Sequence, residues 1–117
     1  MWSEPKDAAY VHEILERLAL IEALVRGADR VAFLSHTSAP DALALHFLVL
    51  GEAANKLSNA FRQSIPTVEW QKVINLRHLI AHEYRKIDHA ELWRIAVQEA
   101  PNLKAALPPL PAPGDIL

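Results

Sequence analysis

The chain of 117 residues contains no cysteine, only three glycines and no long apolar run. Without cysteine it has no disulfide framework, no thiolate nucleophile and no cysteine-ligated metal. So few glycines, and no dipeptide of the kind that closes a hairpin, argue against a β-sheet fold. No apolar stretch approaches the roughly 20 residues of a membrane span. Because the start from Met1 to Asp7 is polar and unlike a signal peptide, we expect a cytoplasmic protein with no membrane partner.

The net charge of -2 does not indicate nucleic-acid binding, but the charges are unevenly distributed. Residues 1–61 contain five Lys and Arg against eight Asp and Glu. Residues 62–94 contain six Lys and Arg against four acids, together with three histidines. This locally basic segment is a mild indication of an anionic ligand. An ordinary solvated surface is the alternative.

Apolar residues recur at three- and four-residue steps along most of the chain, which is the pattern of amphipathic helices. A first helix, capped by Ser3 or Asp7, is expected to run through Arg26, and it could pass Gly27 to reach Phe33. After a loop at residues 35–40, a second helix is expected over about residues 41–61, with one apolar face. That face comprises Leu43, Phe47, Leu50, Ala54, Leu57 and Phe61.

A break at residues 65–67 separates the second helix from a third, for which Thr67 is the expected N-cap, with Glu69 in the first turn. Asp88 and Glu91 resemble a capping box that opens a fourth helix. Pro101 is expected to start or kink a last helical piece, which ends near residue 107.

These elements predict an all-α bundle of four or five helices over residues 1–107. A proline-rich, extended tail is expected over residues 108–117. Trp70 and Trp93 are expected to anchor the core rather than to stack against bases.

The third predicted helix carries the run Arg77-His78-Leu79-Ile80-Ala81-His82-Glu83-Tyr84, which reads R-x4-H-x-Y. Folding does not require three such polar side chains inside an apolar helical pattern. The guanidinium is a permanent cation with a fork of donors that matches a phosphate. The imidazole exchanges a proton near neutral pH, and the phenol carries a hydroxyl that can itself be modified. The combination suits chemistry on a phosphate ester.

Helical geometry limits what these side chains can do together. At about 100° per residue, Arg77 and Tyr84 project within roughly 20° of each other, two turns apart. Arg77 and His82 diverge by roughly 140°, so one straight helix does not aim both at one point. Either the helix ends near His82, or a second protomer supplies the missing partner.

The sequence resembles the HepT-like ribonuclease toxins of the HEPN superfamily, which belong to HEPN–MNT toxin–antitoxin systems. The resemblance does not rest on R-x4-H alone, which arises often by chance. It rests on an ordered set of residues over positions 43–103. The set comprises Leu50-Gly51-Glu52-Ala53-Ala54, Pro66, Trp70, Leu76-Arg77, His82, Tyr84, Ile87-Asp88, Leu92-Trp93-Arg94-Ile95 and Pro101.

This resemblance implies a homodimeric helical bundle in which two R-x4-H motifs face each other across a cleft and cut RNA without a metal or other cofactor. It implies that Arg77 stabilises the phosphate, that Glu52 orients Arg77, and that His82 is a general acid or base. Tyr84 matches the tyrosine to which the partner nucleotidyltransferase of a type VII-like system adds AMP, which silences the toxin. His78 stands where the family commonly has a small polar residue, so it is a second candidate for the catalytic histidine.

Other interpretations of these residues are open at the level of sequence. Arg77 could form only a structural ion pair with Glu52, and Tyr84 could be a half-buried core residue. His78 and His82 have the H-x3-H spacing that can bind zinc from one helix face, although no third ligand is evident in the sequence. The protein could also be a non-catalytic substrate-binding or regulatory subunit of a nucleotidyltransferase.

Overall fold

No β-strand occurs in the part of the chain that the structure describes, which comprises residue 2, residues 4–36 and residues 38–111 of a computed structural model. This confirms the predicted all-α class. A short 3-10 turn covers Tyr84–Lys86, and a π-helical segment covers Ile95–Glu99. The α-helices are α1 (Pro5–Val25), α2 (Arg30–Ser35), α3 (Ala39–Lys56), α4 (Asn59–Ser64), α5 (Trp70–His82), α6 (His89–Arg94) and α7 (Ala100–Ala106).

The core is built around α3, which packs against α1 on one side and against α5 on the other. The predicted apolar face of the second helix is buried throughout. Trp70 is also buried, and the ring of Trp93 packs on Phe33 with 4.8 Å between centroids, so both tryptophans serve the core as predicted. The buried face of α1 comprises Val11, Ile14, Leu18 and Ile21, at the spacing that the periodicity predicts.

The first helix ends within one residue of the predicted Arg26, and it does not continue further, because the chain turns at Gly27. This glycine adopts a φ of 67°, a left-handed conformation that ends helices and that other residues rarely adopt. The alternative of a helix that passes Gly27 to reach Phe33 is therefore wrong. A separate helix, α2, begins at Arg30, and the side chain of Asp29 caps it by accepting from the backbone N–H of Ala32 at 2.9 Å.

The prediction that Asp7 could cap α1 is wrong. Asp7 instead joins α1 to the segment that follows α3. Its carboxylate is fully buried and accepts the backbone N–H of Ser58 at 2.7 Å and the Ser58 hydroxyl at 2.6 Å. The Ser58 hydroxyl in turn caps α4 by accepting the N–H of Phe61 at 3.1 Å. The predicted second helix is thus interrupted after Lys56. Ser3, the other predicted cap, lies outside the described residues.

The third long helix, α5, begins two residues later than an N-cap at Thr67 predicts. The N–H of Val68 bonds to the carbonyl of Ile65, so Thr67 lies inside a turn. Glu69 takes the N-cap position instead, without a capping side-chain bond. The buried indole of Trp70 donates to the same Ile65 carbonyl at 3.2 Å, which fixes the start of α5.

The last helical part follows the prediction closely. Asp88 accepts the N–H groups of Ala90 and Glu91, which confirms it as the N-cap of α6. The second half of the capping box is wrong, because the Glu91 carboxylate pairs with Arg94. Helix α6, the π-helical segment and α7 follow without a break, and Pro101 lies just after the widened turn that often accommodates a proline.

Residues 108–111 have no regular secondary structure, and residues 112–117 of the predicted tail lie outside the described residues. The boundary at residue 107 stays a prediction. Over the described ranges, no helix combines the length and the apolar character needed to cross a membrane.

Candidate active site

The guanidinium of Arg77 projects from α5 towards α3. Its Nε donates to Oε1 of Glu52 at 2.8 Å, and its Nη2 lies 2.6 Å from the same oxygen in an ion pair. The Arg77 side chain is 24% exposed and that of Glu52 is 41% exposed, so the pair lies at the surface, where a phosphate can approach. The structure therefore brings together the two residues that the resemblance pairs. The contact is compatible with both roles considered from the sequence: a carboxylate that orients Arg77, and an ion pair that only joins two helices.

Gly51 explains why α3 and α5 approach closely enough for this contact. A Cβ atom at position 51 would lie 2.2 Å from Cβ of Arg77 and 3.1 Å from the carbonyl oxygen of Val73. Only glycine fits without a shift of one helix. Because Arg77 lies directly over Gly51, its guanidinium reaches the next residue, Glu52. In the sequence, Gly51 stands out only as part of the family resemblance, since its role depends on a helix distant in sequence.

Helix α5 ends at His82, which confirms one of the two alternatives left open by helical geometry. Glu83 leaves the helical conformation, with φ -137° and ψ 44°. The rings of His78 and His82 lie against each other with 4.5 Å between centroids, at an angle of 50°. Both histidines are exposed. Two imidazoles that could transfer a proton therefore lie together at the exposed end of α5. The guanidinium of Arg77 contacts Glu52 and not these rings.

Tyr84 does not lie on the same helical face as Arg77, which corrects the prediction. Because α5 ends at His82, Tyr84 begins the 3-10 turn and the helical angle no longer applies. Its hydroxyl donates to Oδ1 of Asp41 in the first turn of α3, and it lies 3.5 Å from Nε2 of His89 at the start of α6. Tyr84 is 41% exposed, so it is not a core residue.

The surroundings of Tyr84 keep its hydroxyl protonated. Partial burial, and then the hydrogen bond and negative charge of Asp41, raise the pKa of Tyr84 to about 12. Neither Asp41 nor His89 is predicted as a site residue from the sequence. Asp41 is 43 positions from Tyr84, and only the packing of the folded helices brings the two together.

Asp41, Leu45 and Glu52 of α3, together with the Tyr84 and Arg77 side chains bonded to its two acids, form an open strip rather than a cavity. Asp41 and Glu52 are separated by roughly 20° around α3 and about 16 Å along it, so they share one face of that helix. Leu45 lies between them on this face and is 52% exposed. A groove of about 680 Å³ lies elsewhere, between α1 and α7, and none of its lining residues belongs to the R-x4-H-x-Y motif.

In the described part of the chain, the histidine pair gains no further metal ligands. Within the residues that the structure describes, no three His, Asp or Glu side chains are grouped in a way that could hold a metal ion. The H-x3-H spacing of His78 and His82 thus stands without a third ligand in these ranges.

The R-x4-H-x-Y motif lies in the part of the chain that matches a known protein family. The family model described as ribonuclease HepT-like matches residues 14–110, which include Glu52, Arg77, His82 and Tyr84. A Methanocaldococcus jannaschii protein named as an RNase is 28% identical over 96 residues, which cover 82% of this chain and 88% of that protein. A Thermococcus cleftensis protein named "probable ribonuclease HepT" is 27% identical over 95 residues, with 81% and 86% covered. No solved structure matches the chain significantly.

Proposed function

The chain belongs to the ribonuclease HepT-like family, and on this basis we propose that it is the toxin of a HEPN–MNT toxin–antitoxin system and cuts RNA. The observation that carries the proposal is the arrangement at the end of α5. There, Arg77 is held by Glu52, His82 is the last helical residue, and Tyr84 follows in an exposed turn. The relatives are named as ribonucleases, which supports the proposed cleavage of RNA.

The chemistry that suits these groups is attack of a ribose 2′-hydroxyl on the adjacent phosphate. This reaction needs a base, an acid and stabilisation of the developing negative charge. Arg77, with its orientation fixed by Glu52, would bind the phosphate through the exposed part of its guanidinium. His82, or its neighbour His78, would transfer the proton. The mechanism calls for no metal, and its dependence on the 2′-hydroxyl restricts it to RNA.

A homodimer would complete this site. On α5, Arg77 and His82 diverge by roughly 140°, so one protomer does not aim both at one phosphate. A two-fold axis beside the strip would let the His82 of one copy face the Arg77 of the other. Leu45, exposed on the same face of α3, would supply apolar contact area between the copies. Closed two-fold dimers are also the commonest oligomers.

RNA cleavage by purified single variants tests the proposed activity. Arg77→Ala and His82→Ala should each reduce cleavage by at least about 10²-fold, the usual loss for one acid–base or charge-stabilising group, and wild-type cleavage should persist in EDTA. The matched control is Lys72→Ala, which removes an exposed cation of α5 that pairs with Glu69 at 2.6 Å, and it should keep full activity. Intact RNA with the wild-type protein, or undiminished cleavage by both variants, would favour the non-catalytic nucleotidyltransferase subunit instead.

Silencing would occur by addition of AMP to the hydroxyl of Tyr84, catalysed by a partner nucleotidyltransferase with ATP. Tyr84 is exposed and lies two residues beyond His82, so a bulky anion attached there would block RNA by its size and its charge. Mass spectrometry of protein co-expressed with the partner should detect one or more AMP units on Tyr84. Tyr84→Phe should still cleave RNA and escape the partner, whereas Tyr10→Phe, which changes the other tyrosine, should be silenced normally. Silencing of Tyr84→Phe by the partner would indicate neutralisation by complex formation alone.

A further inference from the structure

We propose that Asp41 is the general base that removes the proton of the Tyr84 hydroxyl when AMP is added to that residue. The inference rests on the proposed function, because it describes how the toxin takes part in its own silencing. The geometry that carries it is one hydrogen bond. The Tyr84 hydroxyl donates to Oδ1 of Asp41, so the proton that must leave already lies between the attacking oxygen and a carboxylate.

Tyr84 needs such a base, because its hydroxyl does not ionise by itself at neutral pH. Its pKa is raised to about 12, so nearly all molecules carry the neutral phenol, which is a weak nucleophile. A carboxylate that accepts the proton as the new bond forms avoids a free phenolate. Such a positioned base typically contributes about 10²- to 10⁴-fold to a rate.

The step balances with a nucleoside triphosphate as the co-reactant. The Tyr84 hydroxyl oxygen forms a bond to the α-phosphorus of ATP. The bond between that phosphorus and the oxygen bridging to the β-phosphate breaks, and pyrophosphate leaves with the electron pair. The phenolic proton passes to Oδ1 of Asp41 and then to solvent.

Two features of the fold hold Asp41 in place for this role. Asp41 lies in the first turn of α3, an 18-residue helix whose N-terminal end favours a negative charge. Nε2 of His89 lies 3.8 Å from Oδ1 of Asp41, and the ring of His89 stands edge-on to that of Tyr84 with 5.9 Å between centroids. The carboxylate is therefore bordered by the phenol from one element and by the imidazole from another, and its side chain remains 62% exposed to solvent, which can take up the proton.

Asp41 could instead act only as a latch, which holds the tyrosine hydroxyl away from the nucleotidyltransferase. The two roles predict opposite results for one pair of variants. Asp41→Asn keeps the shape and a hydrogen-bond acceptor but loses the ability to take a proton, whereas Asp41→Ala loses both. A base requires that both variants be modified slowly. A latch requires that Asp41→Asn behave like the wild type and that Asp41→Ala be modified faster.

The experiment measures AMP transfer from α-labelled ATP with Mg²⁺ to the full chain under single-turnover conditions, with the partner nucleotidyltransferase. Asp41→Asn and Asp41→Ala should both slow labelling of Tyr84 by about 10²-fold. Glu83→Gln is the matched control, because it neutralises a carboxylate next to Tyr84 that lies 3.4 Å from Lys86, and it should be labelled at the wild-type rate. Circular dichroism melting should show that all three variants are folded.

The outcomes separate this inference from the function on which it rests. If wild-type Tyr84 is never labelled, the proposed silencing fails and the role of Asp41 fails with it. If the wild type and Asp41→Asn are labelled at equal rates, only the role of Asp41 as a base is overturned. Faster labelling of Asp41→Ala would identify the latch.

Discussion

Oε1 of Glu52 accepts a hydrogen bond from Nε of Arg77 and lies 2.6 Å from Nη2, so a single carboxylate oxygen holds a guanidinium of α5 against α3. An ion pair this exposed contributes only about 0–1 kcal/mol to stability. Its larger effect should be on the direction in which the guanidinium points. Glu52→Gln should therefore leave the free energy of unfolding within about 1 kcal/mol of the wild type. It should slow RNA cleavage by about tenfold, which corresponds to roughly 1.4 kcal/mol of lost transition-state stabilisation.

Glu69→Gln is the control for this variant, because it neutralises the partner of Lys72 at the start of the same helix. Chemical denaturation and a cleavage assay on both variants separate stability from activity. Equal cleavage by Glu52→Gln and the wild type would mean that the contact between Glu52 and Arg77 is only a structural ion pair.

Gly51→Ala should damage both the fold and the site. The added Cβ atom would lie 2.2 Å from Cβ of Arg77, so α5 must move away from α3 and carry the guanidinium with it. Such overpacking costs about 1–3 kcal/mol, and cleavage should fall by more than tenfold, that is by more than roughly 1.4 kcal/mol. The melting temperature and the cleavage rate of the variant measure the two effects.

Gly27→Ala provides the comparison. It forces alanine into a left-handed φ of 67°, but the new Cβ meets no heavy atom within 4 Å. The strain costs about 1–2 kcal/mol, far from the α3–α5 contact, so this variant should lose stability and keep its cleavage rate. A parallel loss of cleavage in both variants would mean that activity follows stability alone.

Mixing two inactive variants should restore cleavage if each site combines residues of two protomers. In a heterodimer of Arg77→Ala and His82→Ala, one of the two sites has both an intact arginine and an intact histidine. Random exchange makes half of the dimers heterodimers, so about a quarter of the wild-type rate should return. Sedimentation velocity at micromolar concentration checks for the dimer itself. A monomer would contradict the proposed assembly, and a dimer without recovery would assign Arg77 and His82 of one site to the same protomer.

Alkaline titration should show Tyr84 ionising late. In a Tyr10→Phe background, phenolate absorbance reports Tyr84 alone and should have its midpoint near pH 12, against an ordinary value of 10.0. Asp41→Asn removes the negative charge but keeps a hydrogen-bond acceptor and leaves the burial unchanged, so the midpoint should fall part of the way back. The folded state holds this proton more tightly than the unfolded chain. The stabilising contribution of the protonated phenol is therefore complete below pH 10 and is lost as the pH rises through about 12.

The helices were predictable because their signal is local. The buried faces of α1 and α3 follow from residues that recur every three or four positions. The ends of the helices were less predictable, because they depend on partners that are distant in sequence. The carboxylate of Asp7 looks like a local cap, yet it bonds to Ser58, 51 positions away, and this contact interrupts the predicted second helix.

The site residues also divide into those that the local sequence predicts and those that depend on distant partners. Arg77, His82 and Tyr84 stand out in the sequence because a polar triplet in an apolar helical pattern needs an explanation. The direction of Tyr84 was not predictable from the helical angle, since α5 ends at His82. Asp41 and His89 carry no motif of their own. Their relation to Tyr84 arises only when the starts of α3 and α6 pack beside the turn that follows α5.

The close passage of α5 over Gly51 has a genetic consequence. Every missense change at this codon adds a Cβ atom, and even the smallest one overlaps Arg77. If the protein arrests growth as proposed, colonies that escape should therefore include many different substitutions at codon 51. At codon 27 the same class of change leaves the motif untouched, so escape mutations there should be rare.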